Sequence, residues 1–161
     1  MSGEYDWSRG ILDIADDFYE AFKRCGEEKP VIDDRNGKIR GSVVNVPSIV
    51  NGAFALELYL KSLIPEKQRK ISGHSFSVLY SVLNTEDQDF IKQRVEPKIK
   101  GWNFLTFDAA LEGINQSFEY WRYIHEKEDF GFGLNMTLNI LPLFLEAIRE
   151  LVLLNQKSEL N

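Results

Sequence analysis

The chain has 161 residues, 43% hydrophobic, 12% aromatic and 27% charged, a balance that excludes wholesale disorder and fibrous or collagen-like chains. A single cysteine excludes an internal disulfide framework and a multi-cysteine zinc site, and only two histidines, His74 and His125, remain for metal ligation, so no metal or cofactor is expected. The formal charge of −6 and a pI near 5.0 argue against a surface that neutralises phosphates throughout, while leaving room for a local basic patch.

This length predicts one helical domain over residues 1–161 with its own core. The N-terminal residues show no basic segment followed by an apolar one, and with the lone Cys25 this reads as a cytoplasmic protein. The most apolar window, 134–154, has the length of a membrane span. Asn135, Asn139, Glu146, Arg149 and Glu150 interrupt it, so a buried helix is expected and no membrane association.

In chain order, Ile11, Ala15, Phe18, Phe22 and Cys25 recur at spacings of 4, 3, 4 and 3 and predict an amphipathic helix. Residues 26–46 form a long connection, in which Asn36-Gly37 between β-branched residues predicts a small β-hairpin. A second helix opens at Pro47, carries Ile49, Ala53, Leu56, Leu60 and Leu63 on one face, and stops at Pro65. Phe76, Leu79, Tyr80 and Leu83 predict a short helix, and Thr85 with Gln88 reads as a capping box for another that fades by Pro97. Phe107, Leu111, Ile114, Phe118 and Trp121 define a third long helix capped by Thr106. The fourth carries Leu134, Leu138, Leu141, Leu145, Ile148 and Val152, with Pro142 marking a kink or a late start. The stretch 126–133 between them reads as a loop with two aromatics, Phe130 and Phe132. The fold class is therefore all-α, an antiparallel bundle of four long helices and two short ones.

Several residues fall off the apolar pattern. Asn115, Glu119, Arg122 and Glu126 recur at 4, 3 and 4 along the edge of the third helix, with His125 nearer its seam. They form either a strip of ordinary ion pairs or a groove in which Arg122 holds a phosphate and His125 moves a proton. Glu57 lies at the apolar edge of the second helix and requires a cation, supplied by Lys61 one turn on or by Arg122 from a neighbouring helix. Asn51 falls on the outer side of that helix, in solvent or in an oligomer contact. His74 follows Gly73 at a helix start, where a capping role is expected. Residues 61–100 hold eight Lys or Arg against five Asp or Glu, while residues 1–30 hold eight acids against four bases. Leu143 and Phe144 beside the seam of the fourth helix leave it more apolar than one core needs, which predicts a homodimer. Phosphate-loop, dinucleotide, hydrolase and zinc-protease motifs are not found.

The run 47–63 with Asn51, Glu57 and Lys61, followed by Gly73-His74 and then Leu79-Tyr80, resembles the HEPN superfamily, the higher eukaryotes and prokaryotes nucleotide-binding domain. The segment Phe118-Glu119-Tyr120-Trp121-Arg122-Tyr123-Ile124-His125-Glu126 is similar to the Arg-Tyr segment on a later helix of that family. The resemblance spans about residues 10–155 and implies a dimeric helical bundle. It also implies, in many members, a metal-independent ribonuclease with an R-x4–6-H motif assembled across the dimer. This chain departs from that motif: only two residues separate Arg122 from His125, and the match at Arg69 and His74 lies in the connection after the second helix. The resemblance thus points to a dimeric module that binds a nucleotide or RNA phosphate through Arg122, Tyr123, His125, Glu126, Glu57 and Lys61. A partner protein such as a nucleotidyltransferase in a toxin–antitoxin or defence system is the other binding target. The alternatives are a metal-independent endoribonuclease using Arg122 and His125, and a purely structural, antitoxin-like interaction bundle.

Overall fold

A computed structural model describes residues 7–27, 31–41, 45–69, 73–102, 105–115, 117–123 and 131–159. In chain order these form α1 (Trp7–Gly26), β1 (Val31–Ile32), β2 (Ile39–Gly41), α2 (Asn45–Leu63), α3 (Glu66–Arg69), α4 (Phe76–Ser81), α5 (Thr85–Ile99), α6 (Phe107–Ile114), α7 (Ser117–Arg122) and α8 (Gly131–Glu159). The architecture is all-α apart from one antiparallel hairpin, β1 with β2, which pairs Val31 with Gly41 and Ile32 with Ile39. Gly37 adopts a φ of 68° in its turn, the left-handed region that glycine enters without a steric penalty. Asp33 tightens the same turn by accepting from the Arg35 N–H at 3.0 Å.

Helix α2 organises the core. It packs against α1, α4, α7 and α8, and α8 in turn packs against α5 and α6. The seam residues Ile49, Ala53, Leu56 and Leu60 of α2 are all buried, as are Leu141, Leu145, Ile148 and Val152 of α8. Side chains three and four apart share one helix face, so two such stripes facing each other produce a continuous apolar interior. Phe76 and Leu79 of α4, Ile91, Val95 and Ile99 of α5, and Phe107, Leu111 and Ile114 of α6 close it from the other side.

The division into four long and two short helices is corrected. Asn115 takes an extended backbone (φ −58°, ψ 136°) and splits the third long helix into α6 and α7. The segment read as the second short helix is instead the 15-residue α5, capped by Asn84, whose side chain accepts from the Asp87 N–H at 2.8 Å. Pro97 lies inside its last turn, where one missing hydrogen bond is tolerated, and does not end it. Helix α8 begins at Gly131, inside the stretch read as a loop, and runs through Pro142 without a break. Thr106 does cap α6, accepting from the Ala109 N–H at 3.2 Å.

Of the two α8 residues that motivated a dimer, one is buried and the other partly buried. Phe144 is fully buried against Phe107, and Leu143 packs partly buried on the same core. Asn51 is also corrected: it is half-buried between α1 and α2, its amide directed at the Cys25 sulfur. Among the described residues, no helix is long and apolar enough to cross a membrane.

Candidate functional site

Glu57 sits on the buried side of α2 with its side chain 2% exposed. Its Oε1 accepts from the Lys61 ammonium at 2.7 Å, the pairing one helical turn apart that the spacing predicts. The same oxygen lies 2.8 Å from Nδ1 of His74. A carboxylate only accepts, so the ring nitrogen facing it carries the hydrogen. Oε2 is buried and receives no hydrogen bond from the described residues.

The backbone around His74 explains how a residue 17 positions away reaches Glu57. Gly73 turns the chain with a φ of 62°, and Ser75 caps α4 by accepting from the Val78 N–H at 3.4 Å. His74 itself therefore caps nothing. The start of α4 is held from the other side by Asn115, whose Oδ1 accepts from the Ser75 hydroxyl at 3.0 Å and whose amide donates to the Ser77 hydroxyl at 3.2 Å. Asn115 thus ties the end of α6 to the mounting of His74. The polar strip read along one continuous helix does not exist as such, because the helix breaks at its first member.

Arg122 is the last residue of α7, a helix that packs on α2. The residue before it, Trp121, is buried and donates from Nε1 to the Thr137 hydroxyl at 3.3 Å, anchoring α7 to α8. Tyr123 follows the helix and is exposed. His125 and Glu126 lie outside the described residues. Of the sequence candidates, Glu57 and Lys61 are brought together, Arg122 and Tyr123 are placed on the neighbouring α7 end, and His74 joins as a member that spacing did not assign. The Arg69 of the formal Arg69…His74 match donates from Nε to the Ile64 carbonyl at 2.8 Å, closing the C-terminal end of α2.

A second polar cluster joins three helices. The Tyr59 hydroxyl of α2 donates to the Asp16 carboxylate of α1, and the Arg149 guanidinium of α8 stacks over the Tyr19 ring at 4.5 Å. Burial, and then the hydrogen bond to Asp16, push the Tyr59 hydroxyl well above the ordinary tyrosine range. Arg149 Nε lies 3.5 Å from Asp16 Oδ1, an ion-pair distance, and is buried with no hydrogen-bond partner among the described residues. Among the described residues, no group of three or more His, Cys, Asp or Glu side chains has an arrangement that would hold a metal ion. Set against known protein families, curated proteins and solved structures, the chain matches none of them.

Proposed function

We propose that the chain is a HEPN-like helical module, acting as a homodimer, that binds the phosphate of a nucleotide or of RNA where Lys61 and His74 meet. The observation that carries this reading is the convergence of the Lys61 ammonium and the His74 ring on one oxygen of the buried Glu57 carboxylate. An ammonium has three donors, and the contact with Glu57 takes one. The carboxylate restrains both side chains, so less rotamer freedom is lost when an anion arrives. Residues 61–100 hold eight Lys or Arg against five Asp or Glu, of which Lys92, Arg94 and Lys98 of α5 are paired with Glu96, Glu150 and Glu146. In this reading Arg122, whose side chain lies outside the described part of the structure, would supply the planar fork suited to phosphate, and the exposed Tyr123 ring the surface on which a base stacks. The homodimer rests on the family resemblance.

Incubation of purified protein with total RNA, with and without Arg122→Ala, tests this. The reading expects RNA to be retained by the wild type, retained less by the variant, and left uncut by both. Cleavage abolished by Arg122→Ala would shift the account to the ribonuclease alternative, and no retention by the wild type would end it.

A further inference from the structure

His74 combines two features that side chains seldom show together. Its side chain is 73% exposed, yet its Nδ1 is tied to a carboxylate that is 2% exposed. One edge of the ring is held in the interior while the other faces solvent. The hydrogen bond from Nδ1 to Glu57 orients the ring and leaves Nε2 as the nitrogen on the opposite edge. Lys61 shares the same Glu57 oxygen, so a cation stands beside the imidazole. The turn at Gly73 and the Ser75 cap, itself bonded to Asn115, hold the backbone on either side. This is a rigidly mounted nucleophilic nitrogen with a positive charge next to it.

We propose that His74 is a phosphoryl-acceptor residue, with Glu57 as its positioning residue and Lys61 balancing the charge of the transferred group. The donor class is a small phosphoramidate or acyl phosphate. With N-protonated phosphoramidate, the Nε2 lone pair forms the N–P bond while the P–N bond of the donor breaks. Its electron pair leaves as ammonia, and nothing is oxidised or reduced. The product ring briefly carries both the phosphoryl group and the Nδ1 hydrogen, and Glu57 Oε1 is in place to share that proton. The inference does not rest on nucleotide or RNA binding, because the donor is a small molecule and Arg122 takes no part.

The test incubates the whole protein with potassium phosphoramidate and follows the adduct by intact mass and phosphorus NMR. The expected result is one acid-labile phosphoryl group per chain on His74, absent in His74→Gln, a change at an exposed side chain that leaves the fold unaltered. It should form about tenfold or more faster than on a blocked histidine amide at the same pH, the scale on which a carboxylate partner acts on a histidine elsewhere. Glu57→Gln should remove most of that acceleration. Because Glu57 is buried and its variant can fail to fold, the wild type unfolded in urea serves as a second control and should react at the rate of the blocked amide. A native rate no greater than that of the amide, or an unchanged adduct in His74→Gln, would overturn the proposal. Either result would leave the RNA-retention experiment with Arg122→Ala unaffected.

Discussion

A side-chain carbon added at Gly52 would lie 2.8 Å from the ring of Phe22, closer than real side chains approach, and 3.3 Å from Leu141. At Gly52 of α2 the side chains of Phe22 from α1 and Leu141 from α8 occupy the space a Cβ would need. Gly52→Ala sets a helix-propensity gain of about 1 kcal/mol against overpacking that typically costs about 1–3 kcal/mol. The overpacking should prevail, because Phe22 is itself held between α1 and α2. Urea denaturation should show a net loss of up to about 2 kcal/mol, and Phe22→Leu in the same chain should recover much of it. An unchanged midpoint for Gly52→Ala would show that the three helices separate freely.

Lys61→Met leaves the buried Glu57 carboxylate with only the exposed His74. Breaking a buried pair from one side costs about 3–5 kcal/mol, whereas replacing both members with apolar residues is often neutral. Because Lys61 is 19% exposed, the lower end of that range is expected for Lys61→Met. The double variant Glu57→Leu with Lys61→Met should be more stable than Lys61→Met alone. The opposite order, measured by urea denaturation, would mean that the carboxylate is stabilised by something other than Lys61.

Asn115→Ala removes the partner of two serines at the start of α4 and should cost about 1–3 kcal/mol. Amide exchange should speed up first around α4. Uniform acceleration over the whole chain would place the effect in the core instead.

The alkaline limb of stability follows from Tyr80. Burial first, and then the charges of Asp89, Asp108 and Glu96, push its hydroxyl up to about 12. A group with a raised folded value contributes fully below its unfolded pKa, near 10, and the contribution disappears as pH rises toward 12. An ultraviolet titration of the six tyrosines should show Tyr80 and Tyr59 ionising late, and Tyr80→Phe should remove the step near 12. Ionisation of all six in the ordinary range, with the protein still folded, would contradict the burial of both.

The core was legible because its signal is local and repeated. Four windows keep spacings of 3 and 4, and of those residues Ile49, Ala53, Leu56 and Leu60 in α2 and Leu141, Leu145, Ile148 and Val152 in α8 are buried, with Leu63 and Leu138 partly so. Lys61 as the partner of Glu57 was legible for the same reason, since a pair one turn apart is written in one stretch of chain. The break at Asn115 was not, because apolar positions continue on both sides and the cause is a long-range bond to Ser75 and Ser77. The contact of His74 with Glu57 was likewise hidden, since it depends on the direction in which Gly73 turns the chain. A buried carboxylate at a seam edge and a histidine after a glycine were each visible, and only the fold joins them. The length of α5 was misjudged because a proline near a helix end and a proline that ends a helix look alike in sequence.

The central claim is that a phosphate meets Lys61, and the salt dependence of RNA binding tests it most directly. Fluorescence anisotropy with a short single-stranded RNA should be followed across a range of salt for the wild type and Lys61→Gln, at a temperature where circular dichroism shows both folded. Each lost phosphate contact lowers the slope of log affinity against log salt by about 0.7 for single strands. The account predicts weaker binding by Lys61→Gln with a slope shallower by about that amount. Equal affinity and equal slope in the two proteins would contradict it.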